Sequence, residues 1–139
     1  MSSVATEADQ VRPTARLSQQ VNDRFERQAG AILQFFPSSQ CVSVALETPL
    51  ILGRKGNADL EEILDLTDFD AYQHGVSRHH CLLQREGAYL TVIDLGSANG
   101  TSLNGKRLPA YQKYIVAHGD HLLLGRLHLK ISFNSAGPE

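Results

Sequence analysis

From Ala31 to Phe133 the chain never keeps one hydrophobic period for long, and this limits what it can fold into. Short apolar segments follow one another, each closed within a few residues by a turn-former. Ala31 to Phe36 ends at Pro37-Ser38-Ser39. Val42 to Leu46 alternates, and Leu50-Ile51-Leu52 resumes after Pro49. Beyond a less regular stretch come Cys81 to Gln84, Tyr89 to Asp94, Ser102-Leu103, Ile115 to Ala117, His121 to Leu124 and Leu127 to Phe133. Segments of this length and composition read as strands. Glu86-Gly87, Gly119-Asp120 and Gly125-Arg126 supply turns between them. Asn104-Gly105 is the strongest hairpin signal, because a type I′ turn needs positive φ at both central residues. Many short strands at close spacing predict an all-β sandwich or barrel.

The 139 residues suit one domain with a sufficient core. A formal net charge of -2 argues against a general nucleic-acid binder, which carries a basic surface. Cys41 and Cys81 are too few for a disulfide framework and read as free buried thiols in a reducing compartment. No apolar run reaches membrane-spanning length, and the N-terminus lacks the basic start and apolar core of a signal peptide. The expectation is a cytoplasmic protein that meets neither membrane nor nucleic acid.

Three parts of the chain are organised differently. In residues 1–30, Met1 to Arg16 reads as a flexible tail. Leu17, Val21, Phe25 and Ala29 then mark one face of a short helix stopped by Gly30. That helix either packs on the domain or frays, since about 12 residues rarely hold a helix unaided. The domain proper is expected over 31–133, with a polar tail over 134–139. Between Glu61 and Gly75 the chain carries Glu61, Glu62, Asp65, Asp68 and Asp70 with no Lys or Arg. This reads as a long loop with a helical turn or short strand at Ile63 to Leu66. The loop is either a solvated surface or a filter that favours basic peptides and repels acidic ones.

Two turn-prone polar clusters flank the hairpin of Cys81–Asp94. One is Gly75-Val76-Ser77-Arg78-His79-His80. The other is Asp94-Leu95-Gly96-Ser97-Ala98-Asn99-Gly100-Thr101. Upstream, Leu52-Gly53-Arg54 puts one arginine at the end of an apolar run. If these meet at one edge of a sandwich they make an anion site. A phosphate monoester carries about -1.5 to -2 charges and three acceptor oxygens. Arg54 offers a planar fork for it, Ser77 a hydroxyl, and the amides of Ser77 and Arg78 further donors. Asn99 has a donor end and an acceptor end, which suits holding a peptide main chain.

Gly53-Arg54, Ser77-Arg78-His79-His80 and Asn99-Gly100-Thr101, in this order, resemble the signature of the forkhead-associated (FHA) domain, a phosphothreonine-peptide reader. The resemblance spans about residues 31 to 133. It implies an eleven-stranded β-sandwich with its site at the loop ends of one edge, and a binding module with no catalysis and no cofactor. By matching position, Arg54, Ser77 and Arg78 would grip the phosphate and Asn99 would hold the peptide main chain. Gly53, His80 and Gly100 would shape the loops, with His80 tying down the loop that carries Ser77. The chain departs from the family at Ala98, where many members place a hydroxyl residue, and in the length and acidity of the loop before Val76.

The implied partner is a phosphothreonine-containing protein or peptide, such as a Ser/Thr kinase or its substrate. Thr6 and Thr14 are candidates for an intramolecular ligand in the chain's own tail. The alternative is a phosphate-independent interaction or assembly module on the same fold. Metal binding is not expected: His79 and His80 are adjacent and point to opposite sides of an extended chain, and no cysteine or carboxylate lies at zinc spacing. Ser77 sits in no nucleophile elbow, since Gly-x-Ser-x-Gly would need glycine at position 79.

Overall fold

The computed structural model describes residues 12–13, 30–56 and 62–134. The helix expected before Gly30, both tail threonines, residues 57–61 of the acidic loop and residues 135–139 lie outside the described part.

Among the described residues twelve strands run in chain order as β1 (Arg12–Pro13), β2 (Gly30–Phe36), β3 (Gln40–Val44), β4 (Leu50–Gly53), β5 (Ile63–Asp65), β6 (Cys81–Glu86), β7 (Tyr89–Asp94), β8 (Thr101–Leu103), β9 (Lys106–Arg107), β10 (Lys113–Val116), β11 (Asp120–Leu124) and β12 (Leu127–Asn134). They form two six-stranded sheets, ordered β1-β10-β7-β6-β4-β5 and β3-β2-β12-β11-β8-β9. Strands β2 to β12 are the eleven of the expected sandwich. The two-residue β1 is an addition that the sequence did not signal, pairing Arg12 with Ile115 at the edge of the first sheet.

Side-chain alternation decides how the sheets face each other. In β2, Ala31, Leu33 and Phe35 turn inward, and β12 matches them with Leu127, Leu129 and Ile131. Leu52, Cys81, Leu83, Leu90 and Val92 answer from the first sheet. Each such aliphatic or aromatic side chain contributes about 1.5–3 kcal/mol on full burial. A register slip of one residue would turn this set toward solvent, so the pattern fixes the pairing. Both cysteines are free, but of the two thiols expected to be buried only Cys81 is; Cys41 is exposed on β3. Burial pushes the Cys81 thiol far above its ordinary range and keeps it neutral.

The acidic stretch is more ordered than a solvated loop. Ile63–Asp65 pairs in parallel with β4, with Ile51 opposite Ile63. A 3₁₀ turn follows over Thr67–Phe69. Leu66, Ala71 and Val76 are buried, and Phe69 stacks on Phe35 with ring centroids 4.1 Å apart. Asp65 accepts hydrogen bonds from the Lys55 amide at 3.1 Å and the Thr67 hydroxyl at 2.7 Å. The Thr67 bond leads in holding its carboxyl below the usual range. Asp65 therefore stitches this segment to the exit of β4, where Arg54 sits. Among the described residues, no helix is long and apolar enough to cross a membrane.

Candidate functional site

Strand β4 ends, β6 begins, β7 ends and β11 ends at the same edge of the sandwich. The three polar clusters meet there. Gly53 runs so close to the loop after Val76 that a Cβ would overlap the Arg78 carbonyl oxygen and lie 2.9 Å from that of Ser77. This close approach lets the Arg54 amide donate to the Arg78 carbonyl at 3.0 Å. The Arg54 Nε donates to the Val76 carbonyl at 2.7 Å. Its guanidinium lies 5.2 Å from the centre of the Tyr72 ring, in cation–π range. One edge of the fork is thereby fixed, and its Nη groups make no hydrogen bond among the described residues.

His80 is fully buried and organises the loop that carries Ser77. The Ser77 amide donates to its Nδ1 at 3.0 Å, and its Nε2 lies 2.8 Å from the Gly100 carbonyl oxygen. An acceptor at Nδ1 and a donor at Nε2 define the neutral Nε2–H tautomer. Burial holds this imidazole below its ordinary pKa, although the Gly100 carbonyl and the Asp94 charge pull upward. The Ser77 amide is thus spent on His80 and is not the ligand donor that the sequence suggested. The Ser77 hydroxyl stays usable. Its oxygen accepts from the Ala98 amide at 3.0 Å, which leaves the O–H proton to give. Arg78 is exposed, with its guanidinium lying over Gly56.

Asp94 builds the second cluster. Its carboxylate accepts from the amides of Gly96 and Ser97 at 3.0 and 3.1 Å and from the hydroxyls of Ser97 and Thr101 at 2.7 and 2.6 Å. Burial pushes its pKa up, but these bonds and the nearby His80 more than offset that, and the carboxyl stays below its usual range. The Ser97 hydroxyl in turn accepts from the Gly100 amide at 2.9 Å. Gly100 has φ of 87°, a left-handed conformation that favours glycine. Asn99, presented on this turn, donates from Nδ2 to the Gly75 carbonyl at 2.9 Å. Its Oδ1 and second N–H are left facing outward.

The structure therefore brings Arg54, Ser77, Arg78 and Asn99 to one rim, with Gly53, His80 and Gly100 beneath them. The sequence marked Gly125-Arg126 as a turn and Asp94 as the head of the second cluster, but gave neither a part in the site. The Gly100 carbonyl also accepts from the Gly125 amide at 2.9 Å, and the Arg126 amide donates to the His74 carbonyl at 2.7 Å. Asp94 carried a signal, since an Asp followed by Gly and Ser is a common side-chain-capped turn. Arg126 carried none beyond its turn. Among the described residues no group of three or more His, Cys, Asp or Glu is placed to hold a metal ion.

This rim of one anchored guanidinium, one hydroxyl and one carboxamide on a two-sheet sandwich is of the phosphopeptide-binding type. The FHA domain model matches residues 50–125, more than half of the chain, and the chain belongs to that family of binding modules. Relatives include the E3 ubiquitin-protein ligase RNF8 of Rattus norvegicus, 44% identical over 52 residues, which are 36% of this chain and 10% of that protein. The RNF8 of Mus musculus matches to the same extent, so the chain spans about a tenth of the length of these curated relatives. A domain solved in a study of phosphothreonine-dependent FHA domain interactions superposes with a TM-score of 0.58 at 27% identity, covering 79% of this chain and 99% of the other. The FhaA FHA domain complexed with the intracellular domain of Rv3910 gives 0.54 at 28% identity, covering 73% and 98%. An FHA domain of Arabidopsis thaliana gives 0.63 at 22% identity, covering 86% and 98%, a likeness of fold.

Proposed function

We propose that the chain binds phosphothreonine peptides at this rim and so reads the output of a Ser/Thr kinase. Arg54 and Ser77 grip the phosphate, Arg78 adds a mobile positive charge, and Asn99 holds the peptide main chain through its remaining donor and acceptor. The observation that carries the reading is the pairing of Arg54 with Ser77. Both are pinned through one part of the side chain, by the Val76 carbonyl and the Ala98 amide, while their other donors stay unspent. Donors fixed before the ligand arrives lose little freedom on binding, which is how a small site gains affinity.

The test is titration of the protein with a phosphothreonine peptide library, with the same peptides unphosphorylated as control. Charge-assisted bonds are worth about 1.5–3 kcal/mol each. Arg54→Ala is therefore expected to weaken binding at least about tenfold with the fold intact. Equal affinity for unphosphorylated peptide, unaffected by Arg54→Ala, would instead support a phosphate-independent interaction module.

A further inference from the structure

A second cluster lies outside the rim, on the outward face of the second sheet. His121 pairs with Lys130 and Leu123 with His128, so His121 and His128 are diagonal neighbours across β11 and β12. Alternation turns His121 and Leu123 outward, while Leu122 and Leu124 face the core. Diagonal positions on one sheet face lie within reach of aromatic-sized side chains. Here the two rings meet nitrogen to nitrogen: His121 Nδ1 is 2.7 Å from His128 Nε2, with ring centroids 4.9 Å apart. One nitrogen must hold a proton there and the other a lone pair. Phe36, paired with His128 from β2, stacks on its ring with centroids 4.7 Å apart and fixes its orientation. Burial first, and then the neighbouring His121, hold the His128 imidazole below its ordinary pKa, so the ring is neutral at neutral pH. A cavity of about 310 Å³ opens beside the pair, lined by Ser102, Gly105 and Leu123.

Two imidazole nitrogens that converge from adjacent strands are a chelate with a proton in place of a metal. We propose that His121 and His128 bind one borderline divalent transition-metal ion, Cu2+ most tightly. Imidazole suits copper, nickel and zinc, and affinity along the divalent series peaks at copper. The spacing agrees. Metal–nitrogen bonds of about 2.0–2.1 Å set neighbouring ligand nitrogens about 2.9 Å apart at right angles and about 3.3 Å apart at a tetrahedral angle. The pair at 2.7 Å therefore opens by about 0.2 Å for a square-planar ion and about 0.6 Å for a tetrahedral one, a small side-chain rotation. Two neutral rings lose no net proton in the exchange. The N–H between them moves through solvent to the other nitrogen of the same ring, and both lone pairs then face the metal. No third His, Cys, Asp or Glu completes the set among the described residues, so water fills the remaining positions. The cavity has room for several waters at about 30 Å³ each. Lys130 shares this face and its ammonium opposes a bound cation, so bonding to imidazole and not charge carries the affinity.

The experiment titrates the full chain with Cu2+, Ni2+, Zn2+ and, as a hard-ion control, Mg2+, by calorimetry. The expected result is a single Cu2+ per chain, weaker Ni2+ and Zn2+, and no Mg2+ binding. His121→Gln and His128→Gln each weaken Cu2+ binding at least about tenfold, a loss that even the supporting groups around a metal can cause. His79→Gln and Cys41→Ser leave it unchanged, which separates the pair from other exposed ligands. A second measurement needs no variant. In the NMR spectrum of the unaltered protein, substoichiometric Cu2+ broadens amide signals around His121 and His128 first. Absence of Cu2+ binding, parental affinity in either histidine variant, or broadening centred on another histidine or on Cys41 would overturn the site. The pair shares no residue with the rim, so its failure leaves the phosphopeptide reading standing, and failure of every phosphopeptide to bind leaves the metal site standing.

Discussion

The two ends of the sandwich use the same turn residue under different constraints. At the far end, the turns at Gly87, Gly105 and Gly119 are open: a Cβ added to any of them meets nothing within 4 Å. At the rim, Gly53 and Gly125 touch neighbouring main chain, and no Cβ fits without moving a carbonyl. The far turns only reverse the chain. The rim turns are packed against each other, and their hydrogen bonds converge on His80, Asp94 and the Gly100 carbonyl. The turns at one end are thus open and those at the rim tightly packed, and the candidate site is at the packed ones.

The comparison can be tested by substitution. Gly53→Ala should be the most damaging change, since the clash is with backbone; a cost above about 4 kcal/mol is the scale reserved for such diagnostic core changes. Loss of cooperative unfolding in urea is the expected reading, and a melting curve like that of the parent chain would break the contrast. His80→Ala should follow. It strands the Ser77 amide and removes one of the two donors to the Gly100 carbonyl, and an unsatisfied buried group costs about 1–3 kcal/mol. Chemical denaturation would show the loss, with weaker phosphopeptide binding in whatever remains folded.

Asp94→Asn should come next. The amide places an NH2 where one carboxylate oxygen accepted two of the four donors, for a cost of about 1–3 kcal/mol in unfolding experiments. Gly119→Ala should have the smallest effect of the substitutions. With φ of 88° and open space around it, it pays only the left-handed penalty of about 1–2 kcal/mol, and peptide affinity is expected to stay unchanged. Acidity probes the same contrast without mutation. His80 has its pKa lowered in the folded state, so the unfolded chain takes up the proton first. Its contribution is complete above the unfolded value of about 6.5, and stability falls as pH drops from there toward the folded value. In His80→Gln that slope, read from urea midpoints between pH 5 and about 7.5, should shrink.

Most of the fold was legible because strand alternation and turn chemistry are local. Leu33, Leu83 and Leu122 announce their inward faces by position alone, and Asn104-Gly105 announces its turn. The parallel pairing of Ile63–Asp65 with β4 was harder to see, since three residues hold no readable period and their partner lies upstream across a loop. The site was legible as residue types, through Arg54, Ser77 and Asn99. What each donor is already bonded to was not. Nothing in the order of residues says that the Ser77 amide is consumed by His80, because that depends on a buried ring arriving from three residues away in a bent loop. The seating of Arg126 against Gln73 and His74 was hidden for a similar reason: it is created by the folding together of loops far apart in the chain.

Ala98 shows which parts of such a rim can drift. Its tie to the neighbouring loop is made by its amide, which reaches the Ser77 hydroxyl whatever side chain the residue carries. The side chain itself is exposed. Inheritance can therefore rewrite this position at little structural risk, while Gly53 and His80 have almost no permitted neighbours in sequence space. A domain arranged this way can vary position 98 by single steps without passing through an unfolded ancestor.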